Sequence, residues 1–249
     1  MSNIVIVFDF DKTIIDCDSD NWVVDEFGFT DLFNQLLPTM PWNSLMDRMM
    51  MELHSHGKSA HALGCDLRIV SDANKFFIET IVKHLGISEC FTKINTNPGY
   101  VNQQGRLTVL PYHDFNKALH GCPLCPPNMC KGLIIDRIQD TISEVDNKRF
   151  IYLGDGAGDY CPSLRLRETD FVMPRKNFPV WDLICKDPSL VKAEINGWCD
   201  GQEFEQVLMK LINKIMIGEN AKFISTDCKL QSLSIPVLES LPKALSVRP

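Results

Sequence analysis

The chain opens on an uninterrupted apolar run, Ile4-Val-Ile-Val-Phe8, short and rich in β-branched residues. Such a run predicts a strand buried on both faces. Further strand signals fall at Asp66–Ser71 and Lys148–Gly154, with a weaker one at Asp170–Met173. Between them, apolar positions recur at helical spacing over Lys75–Leu85, Lys131–Glu144 and Glu203–Ile217. Strands alternating with helices predict an α/β fold, a parallel sheet with helices on both faces. Residues 16–58 break the alternation. Trp22–Phe27, Asp31–Leu37 and Asn43–His56 read as three helices with no strand between them, the last with Asn43 as N-cap and Gly57 as stop. Its methionines (Met46, Met49, Met50, Met51) read as packing surface. A helical insert straight after the first strand is expected to sit as a lid over the carboxyl ends of the sheet. The expected organisation is a core of residues 1–15 and 59–217, a small cap at 16–58, and a loosely held tail at 218–249, where periodicity fades.

Composition narrows the class without naming a chemistry. At 249 residues, 45% hydrophobic and 23% charged, the chain is an ordinary globular protein with one sizeable core. Its net charge of −7 argues against nucleic acid and anionic membrane surfaces as partners. No apolar run approaches the roughly 20 residues that span a bilayer, and acids follow the first apolar run at once, unlike a signal peptide. Ten Cys in a chain of this kind read as free thiols of a reducing, cytoplasmic compartment.

The chemistry sits at predicted strand ends. Asp9 and Asp11 follow the first strand with i, i+2 spacing, which in extended chain places both on one face. The carboxyl end of a parallel strand is where open α/β sheets bind ligands. Two like charges there need a cation between them, or one must hold a proton. Ser71 and Asp72 end the second strand. Lys131, in Cys130-Lys131-Gly132, opens a helix, where an ammonium and a helix N-terminus both suit an anion; a surface capping charge is the plainer alternative. Asp155 and Asp159 lie in Gly154-Asp-Gly-Ala-Gly-Asp159 after a further strand, where glycines let backbone approach a ligand.

An acid pair, a strand-end Ser, a Lys and a second acid pair, in that order, resemble the haloacid dehalogenase-type phosphatase signature. The likeness extends to Ser19-Asp20-Asn21-Trp22, Cys122-Pro-Leu-Cys-Pro-Pro-Asn-Met-Cys-Lys131, the run to Pro162 and Met173-Pro-Arg-Lys176. Over about residues 3–217 the chain resembles the phosphoethanolamine/phosphocholine phosphatase family, which includes pyridoxal phosphate phosphatases, and most of all its plant thiamine phosphate phosphatase-like and pyrophosphatase-like branch. The resemblance implies a Rossmann-like, haloacid dehalogenase-like fold and a Mg²⁺-dependent phosphatase acting on a small phosphorylated metabolite such as thiamine monophosphate, pyridoxal phosphate, phosphocholine or phosphoethanolamine. Inorganic pyrophosphate is the alternative substrate, and transfer to another acceptor a further alternative. It implies Asp9 as nucleophile forming an aspartyl phosphate and Asp11 as acid, then base. Asp9, Asp11 (through its carbonyl) and Asp155 would hold Mg²⁺, with Asp159 orienting that set. Ser71 and Lys131 would bind phosphoryl oxygens, and Asp20 and Asp72 would touch substrate. For these last two, an N-cap and an Asx-turn are the plainer readings. Gly158 stands where many relatives have Asn.

Two features sit outside that scheme. Cys122-x-x-Cys125, with Cys130 and Cys161 nearby and His113 and His120 as further candidates, is half of a zinc site, but a second pair at matching spacing is missing. A buried or reduced thiol cluster is the competing reading. In addition, Lys58 leads directly into Ser59-Ala-His-Ala-Leu-Gly64, barely one helical turn, whereas a parallel crossover needs about a dozen residues, usually a helix. The chain therefore reads as lacking an internal segment of about two dozen residues after Lys58, judged against that requirement. A bare apolar face on the second strand, low stability and a non-catalytic or unstable variant are the expectations that follow.

Overall fold

In a computed structural model, residues 2–15, 18–19, 60–143 and 148–227 are described. The first strand, β1 (Ile4–Phe8), lies between β2 (Asp66–Asn74) and β6 (Arg149–Gly154). With β3 (Phe91–Asn97), β7 (Phe171–Pro174) and β8 (Glu194–Ile195) they form a six-stranded sheet in the order β3-β2-β1-β6-β7-β8, every pairing parallel. A separate antiparallel hairpin, β4 (Gly99–Val101) with β5 (Leu107–Val109), follows β3. The order reverses at β1, so the crevice of a doubly wound sheet opens at its carboxyl end.

Successive residues of β1 serve different halves of the core. Ile4, Ile6 and Phe8 pack on one face with α1 (Lys75–His84) and α5 (Gly201–Asp227), through Ile78 and Ile81 of α1 and Phe204, Leu208 and Leu211 of α5. Val5 and Val7 pack on the other face with α2 (Lys131–Ser143) and α4 (Pro179–Lys186), through Ile134, Ile138, Val180 and Ile184. A short α3 (Tyr160–Ser163) follows the loop after β6. The strand buried on both faces, and helices on both faces of a parallel sheet, are thus as the sequence predicts. Among the described residues no helix is long and apolar enough to cross a membrane.

Two expectations change. The apolar face of β2 is not bare: Leu67 and Ile69 are fully buried, in a cluster that also takes in Ala60 of the short helical turn before the strand. That turn is packed, and α1 and α5 supply cover on the same side. Helix α5 runs on to Asp227, past Ile217 where the periodic pattern fades. The cap at 16–58, apart from residues 18–19, and the tail beyond 227 lie outside the described residues.

Candidate active site

The strand ends deliver four of the candidate residues to one place. Backbone register carries Phe8 opposite Leu153 and opposite Ile69, and the Asp9 N–H continues the ladder onto the Leu153 carbonyl at 2.8 Å. The loops leaving β1, β2 and β6 therefore start side by side. Lys131, at the first position of α2, reaches into them. Its Nζ lies 2.8 Å from Asp9 Oδ2, 2.9 Å from Asp159 Oδ1 and 3.7 Å from an Asp72 carboxylate oxygen. Only 4% of Lys131 is exposed, so it is no surface capping charge. Carboxylate oxygens of Asp9, Asp155 and Asp159 lie within 4.8 Å of one another.

Asp159 is the fixed point of this group. Its Oδ2 accepts the N–H groups of Asp155 and Gly156 at 3.1 and 2.9 Å, and its Oδ1 accepts the Tyr152 hydroxyl at 2.6 Å besides Lys131. Gly154 makes room for it: a Cβ there would stand 2.3 Å from Asp159 Cγ. Asp155 Oδ1 takes the Thr13 hydroxyl at 3.3 Å. Asp9 Oδ1 takes the N–H of Phe10 at 2.7 Å.

Among the described residues, three buried carboxylates gather around one ammonium, and the acidities reflect the excess of negative charge. Burial, then the charge of Asp159, push Asp9 well above the usual carboxylate range against the pull of Lys131. The same two causes raise Asp155 to about 6. Burial alone would lower the Lys131 ammonium, but Asp159 and Asp9 outweigh it and hold it well above its ordinary value.

Asp11 departs from the simple picture. The chain stops being extended at Phe8: the N–H groups of Thr13, Ile14 and Ile15 all turn back onto the Phe10 carbonyl, and Lys12 adopts φ of 50°, left-handed for a non-glycine residue. The i, i+2 same-face argument therefore fails here. The Asp11 carboxylate accepts the Ser19 N–H at 2.8 Å instead, and burial raises it to about 6. Ser71 is fully buried in β2, its Oγ accepting the Ala73 N–H at 3.2 Å. Asp72 lies within β2, not in a turn; its carboxylate faces Lys131, and its side chain is 56% exposed at the mouth of the cluster. Asp20 lies outside the described residues.

Sequence reasoning assigned no role to Thr13, Tyr152 or Arg175. Tyr152 carried a signal, since a hydroxyl inside a buried strand needs a partner. Arg175 stacks over Phe178 and Trp198 and donates from Nη1 to the Lys12 carbonyl at 2.8 Å, bracing the left-handed turn from across the sheet.

Comparison with known proteins now decides the family. The family model described as "Putative Phosphatase" matches residues 4–64 and 57–212, most of the chain. The chain belongs to this phosphatase family. A phosphatase is what the order of Asp9, Ser71, Lys131 and Asp155 implied. The chain is similar to inorganic pyrophosphatase 2 of Arabidopsis thaliana, 63% identical over 258 residues covering 92% of each chain. It is likewise similar to the thiamine phosphate phosphatase-like protein of Arabidopsis thaliana, 49% identical over 89% of this chain and 100% of that one. Pyridoxal phosphate phosphatase PHOSPHO2 of Homo sapiens is 31% identical over 70% of this chain and 83% of its own length. The two pieces of the family match overlap at 57–64, the stretch where the sequence is short of a crossover. The 258-residue alignment exceeds the 249 residues of this chain while covering 92% of it, so the relative carries aligned-region residues with no counterpart here.

Proposed function

We propose that this phosphatase is Mg²⁺-dependent and hydrolyses small phosphate compounds by nucleophilic attack from Asp9. The observation that carries the proposal is the buried set Asp9, Asp155 and Asp159 around the Lys131 ammonium, among the described residues. Hard carboxylate oxygens in deficit of positive charge suit a small divalent cation that keeps part of its water shell. Asp9 and Asp155 have oxygen valence to spare and would hold the ion, with the Asp11 backbone carbonyl that the resemblance implies as a third ligand. Asp159 spends all its hydrogen-bonding capacity on protein donors and so orients the set without ligating. When bound, Mg²⁺ supplies the positive charge that offsets repulsion between the Asp9 carboxylate and an incoming phosphate.

An Asp9 oxygen forms the bond to phosphorus as the bond to the leaving oxygen breaks, and Asp11 gives that oxygen its proton. A water then attacks the aspartyl phosphate, Asp11 takes the proton back, and inorganic phosphate leaves with Asp9 restored. A carboxyl raised to about 6 suits a group that must be acid in one half and base in the other. Lys131 and the Ser71 hydroxyl hold phosphoryl oxygens. Asp72, half exposed beside Lys131, presents negative charge to a cationic substrate group such as a quaternary ammonium or thiazolium.

The substrate class has two readings. Phosphate monoesters of cationic metabolites are favoured by Asp72 at the mouth. Inorganic pyrophosphate is favoured by the 63% identity to a relative of that name. We further infer that an internal segment between the helical insert and β2 is missing relative to the family, supported by the overlap of the two matched pieces at 57–64. Phosphate release should be measured on thiamine monophosphate, pyridoxal phosphate, phosphocholine, phosphoethanolamine and pyrophosphate, with Mg²⁺ and with EDTA. Release that needs Mg²⁺, with the phosphoryl group trapped on Asp9, supports the proposal. Equal rates in EDTA overturn the metal, and no release from any substrate favours a non-catalytic variant.

A further inference from the structure

Away from the carboxylates, four thiols converge from three parts of the chain. The Sγ atoms of Cys122, Cys125, Cys130 and Cys161 all lie within 4.8 Å of one another. Cys161 Sγ is 3.6 Å from Cys122 Sγ and 3.9 Å from Cys130 Sγ. A tetrahedral zinc with its usual ~2.3 Å bonds to sulfur sets its four sulfurs about 3.8 Å apart. We propose that these four cysteines form a structural zinc site that clamps the loop after β5 onto the starts of α2 and α3.

The surroundings are shaped for sulfur to approach. At Gly132 a Cβ would stand 2.5 Å from Cys161 Sγ, so only glycine lets the first turn of α2 reach that thiol. The two histidines that were candidate ligands serve the backbone instead. His120 donates from Nε2 to the Pro126 carbonyl at 2.9 Å while its Nδ1 accepts the Cys122 N–H at 3.1 Å, a pattern one neutral tautomer satisfies. His113 Nδ1 accepts the Cys130 N–H at 3.3 Å. Both imidazoles thus fix the peptide that carries a thiol, the kind of outer support zinc ligands receive. The missing half of the sequence motif is supplied by topology: Cys130 and Cys161, distant in sequence, are joined by the packing of α3 on α2. Cys130 and Cys161 are buried, whereas Cys122 and Cys125 are half-buried and give an ion a way in.

The chemistry separates this site from the phosphatase centre. Four thiolates select a soft or borderline ion, and the oxygen set around Asp9 selects a hard one. The neighbours give the clamp a purpose: Cys130 directly precedes Lys131, and Cys161 lies two residues past Asp159. An ion held here pins the two segments that carry the Lys131–Asp159 pair.

The test is metal analysis of the full chain, purified under reductant without added chelator. About one zinc per chain is expected, released in step with thiol modification by a mercurial. Replacement by Co²⁺ should give a sulfur-to-cobalt charge-transfer band and the strong red absorption of a tetrahedral site. Cys122→Ser/Cys125→Ser should lose both the ion and the zinc-dependent part of the melting temperature, while the control Cys185→Ser keeps them. Since the parent protein's zinc content and cobalt spectrum stand on their own, a double variant that fails to fold does not blunt the test. A parent chain without zinc that shows no cobalt–sulfur band after reconstitution overturns the proposal. So does a Cys122–Cys161 disulfide found in the chain trapped with a thiol-blocking reagent at lysis without reductant, which makes the cluster a redox pair instead.

Discussion

Replacing Asp159 by Asn tests the logic of the buried cluster more sharply than deleting a catalytic group. All four partners of the Asp159 carboxylate are donors: two backbone N–H groups on Oδ2, the Tyr152 hydroxyl and the Lys131 ammonium on Oδ1. An amide is isosteric but must put an NH₂ on one side. Facing it toward the backbone costs two hydrogen bonds outright. Facing it toward Oδ1's partners is better, since Tyr152 can rotate its proton and accept, but Lys131 cannot. One charge-assisted bond, about 1.5–3 kcal/mol, becomes a donor–donor contact. Lys131 is not orphaned, because Asp9 remains 2.8 Å away; the loss therefore stays below the roughly 3–5 kcal/mol of a fully broken buried pair. Removing one of three crowded carboxylates returns part of it, since, after burial, the charge of Asp159 is what pushes the Asp9 carboxyl above its usual range. The expected net destabilisation is about 2 kcal/mol, or roughly 4–8 °C in melting temperature for a chain of this size. Urea titrations read by circular dichroism, with unchanged slope, measure it. A change under about 0.5 kcal/mol, the range of ordinary surface substitutions, would refute the reading of Asp159 as the fixed point. Greater stability in the variant would show that carboxylate repulsion outweighs the four bonds.

Asp9→Asn should abolish phosphate release and aspartyl-phosphate formation with little change in melting temperature, because a carboxyl already pushed upward loses little by becoming neutral; near-parental turnover would remove Asp9 as nucleophile. Asp11 and Asp155 sit at about 6 in the folded chain against 3.8 ordinarily. The native state therefore holds their protons more tightly, and in metal-free buffer stability present at pH 4 should fall as pH rises toward 6. Mg²⁺ binds the ionised forms, so its stabilising shift in melting temperature should be larger at pH 7.5 than at pH 5; an equal shift at both would contradict these acids as the ion's surroundings. Ca²⁺ should compete for the site yet support little turnover, its looser coordination misplacing Asp9 against phosphorus; full activity with Ca²⁺ would refute this. Inserting a helical segment of the family's length between Lys58 and Ser59 should alter substrate selectivity more than melting temperature, since the β2 face is already covered; a melting temperature raised with selectivity unchanged would reverse that order.

What the sequence made legible follows from how local each signal is. The all-apolar β1 and the amphipathic α1 and α2 carry their burial in their own residues, so their positions agree with the structure to within a residue or two. β3, Phe-Thr-Lys-Ile-Asn-Thr-Asn, was missed because an edge strand pairs on one side only and tolerates polar residues that read as loop. β8 is two residues long and α4 only two turns, too short for periodicity to register. At the site, Asp9, Lys131 and Asp155 were visible from order and placement at element ends. The parts played by Tyr152 and Arg175 were not, since each depends on a partner brought near only by the fold. For Asp11 the i, i+2 argument assumed extended geometry in a stretch that turns back onto the Phe10 carbonyl. The fourfold convergence of thiols was legible only as a half-motif, its other half being spread over two helix starts.

The placement of β1 at the middle of the sheet has a consequence for synthesis. The first strand made is flanked by β2 and β6, and β6 begins at Arg149. At ribosomal speeds of about 5–20 residues per second, roughly 140 further residues must be added, so some 7–30 s pass before the second neighbour exists. Through that interval at least one edge of Ile4–Phe8 has no partner, and its five side chains, all buried in the finished fold, have only part of their cover. An apolar strand with an open edge is a template for pairing with other chains. The nascent protein is therefore most exposed to aggregation while its chemistry is still half untranslated, and yield in a cell should depend on factors that shield extended apolar segments near the ribosome.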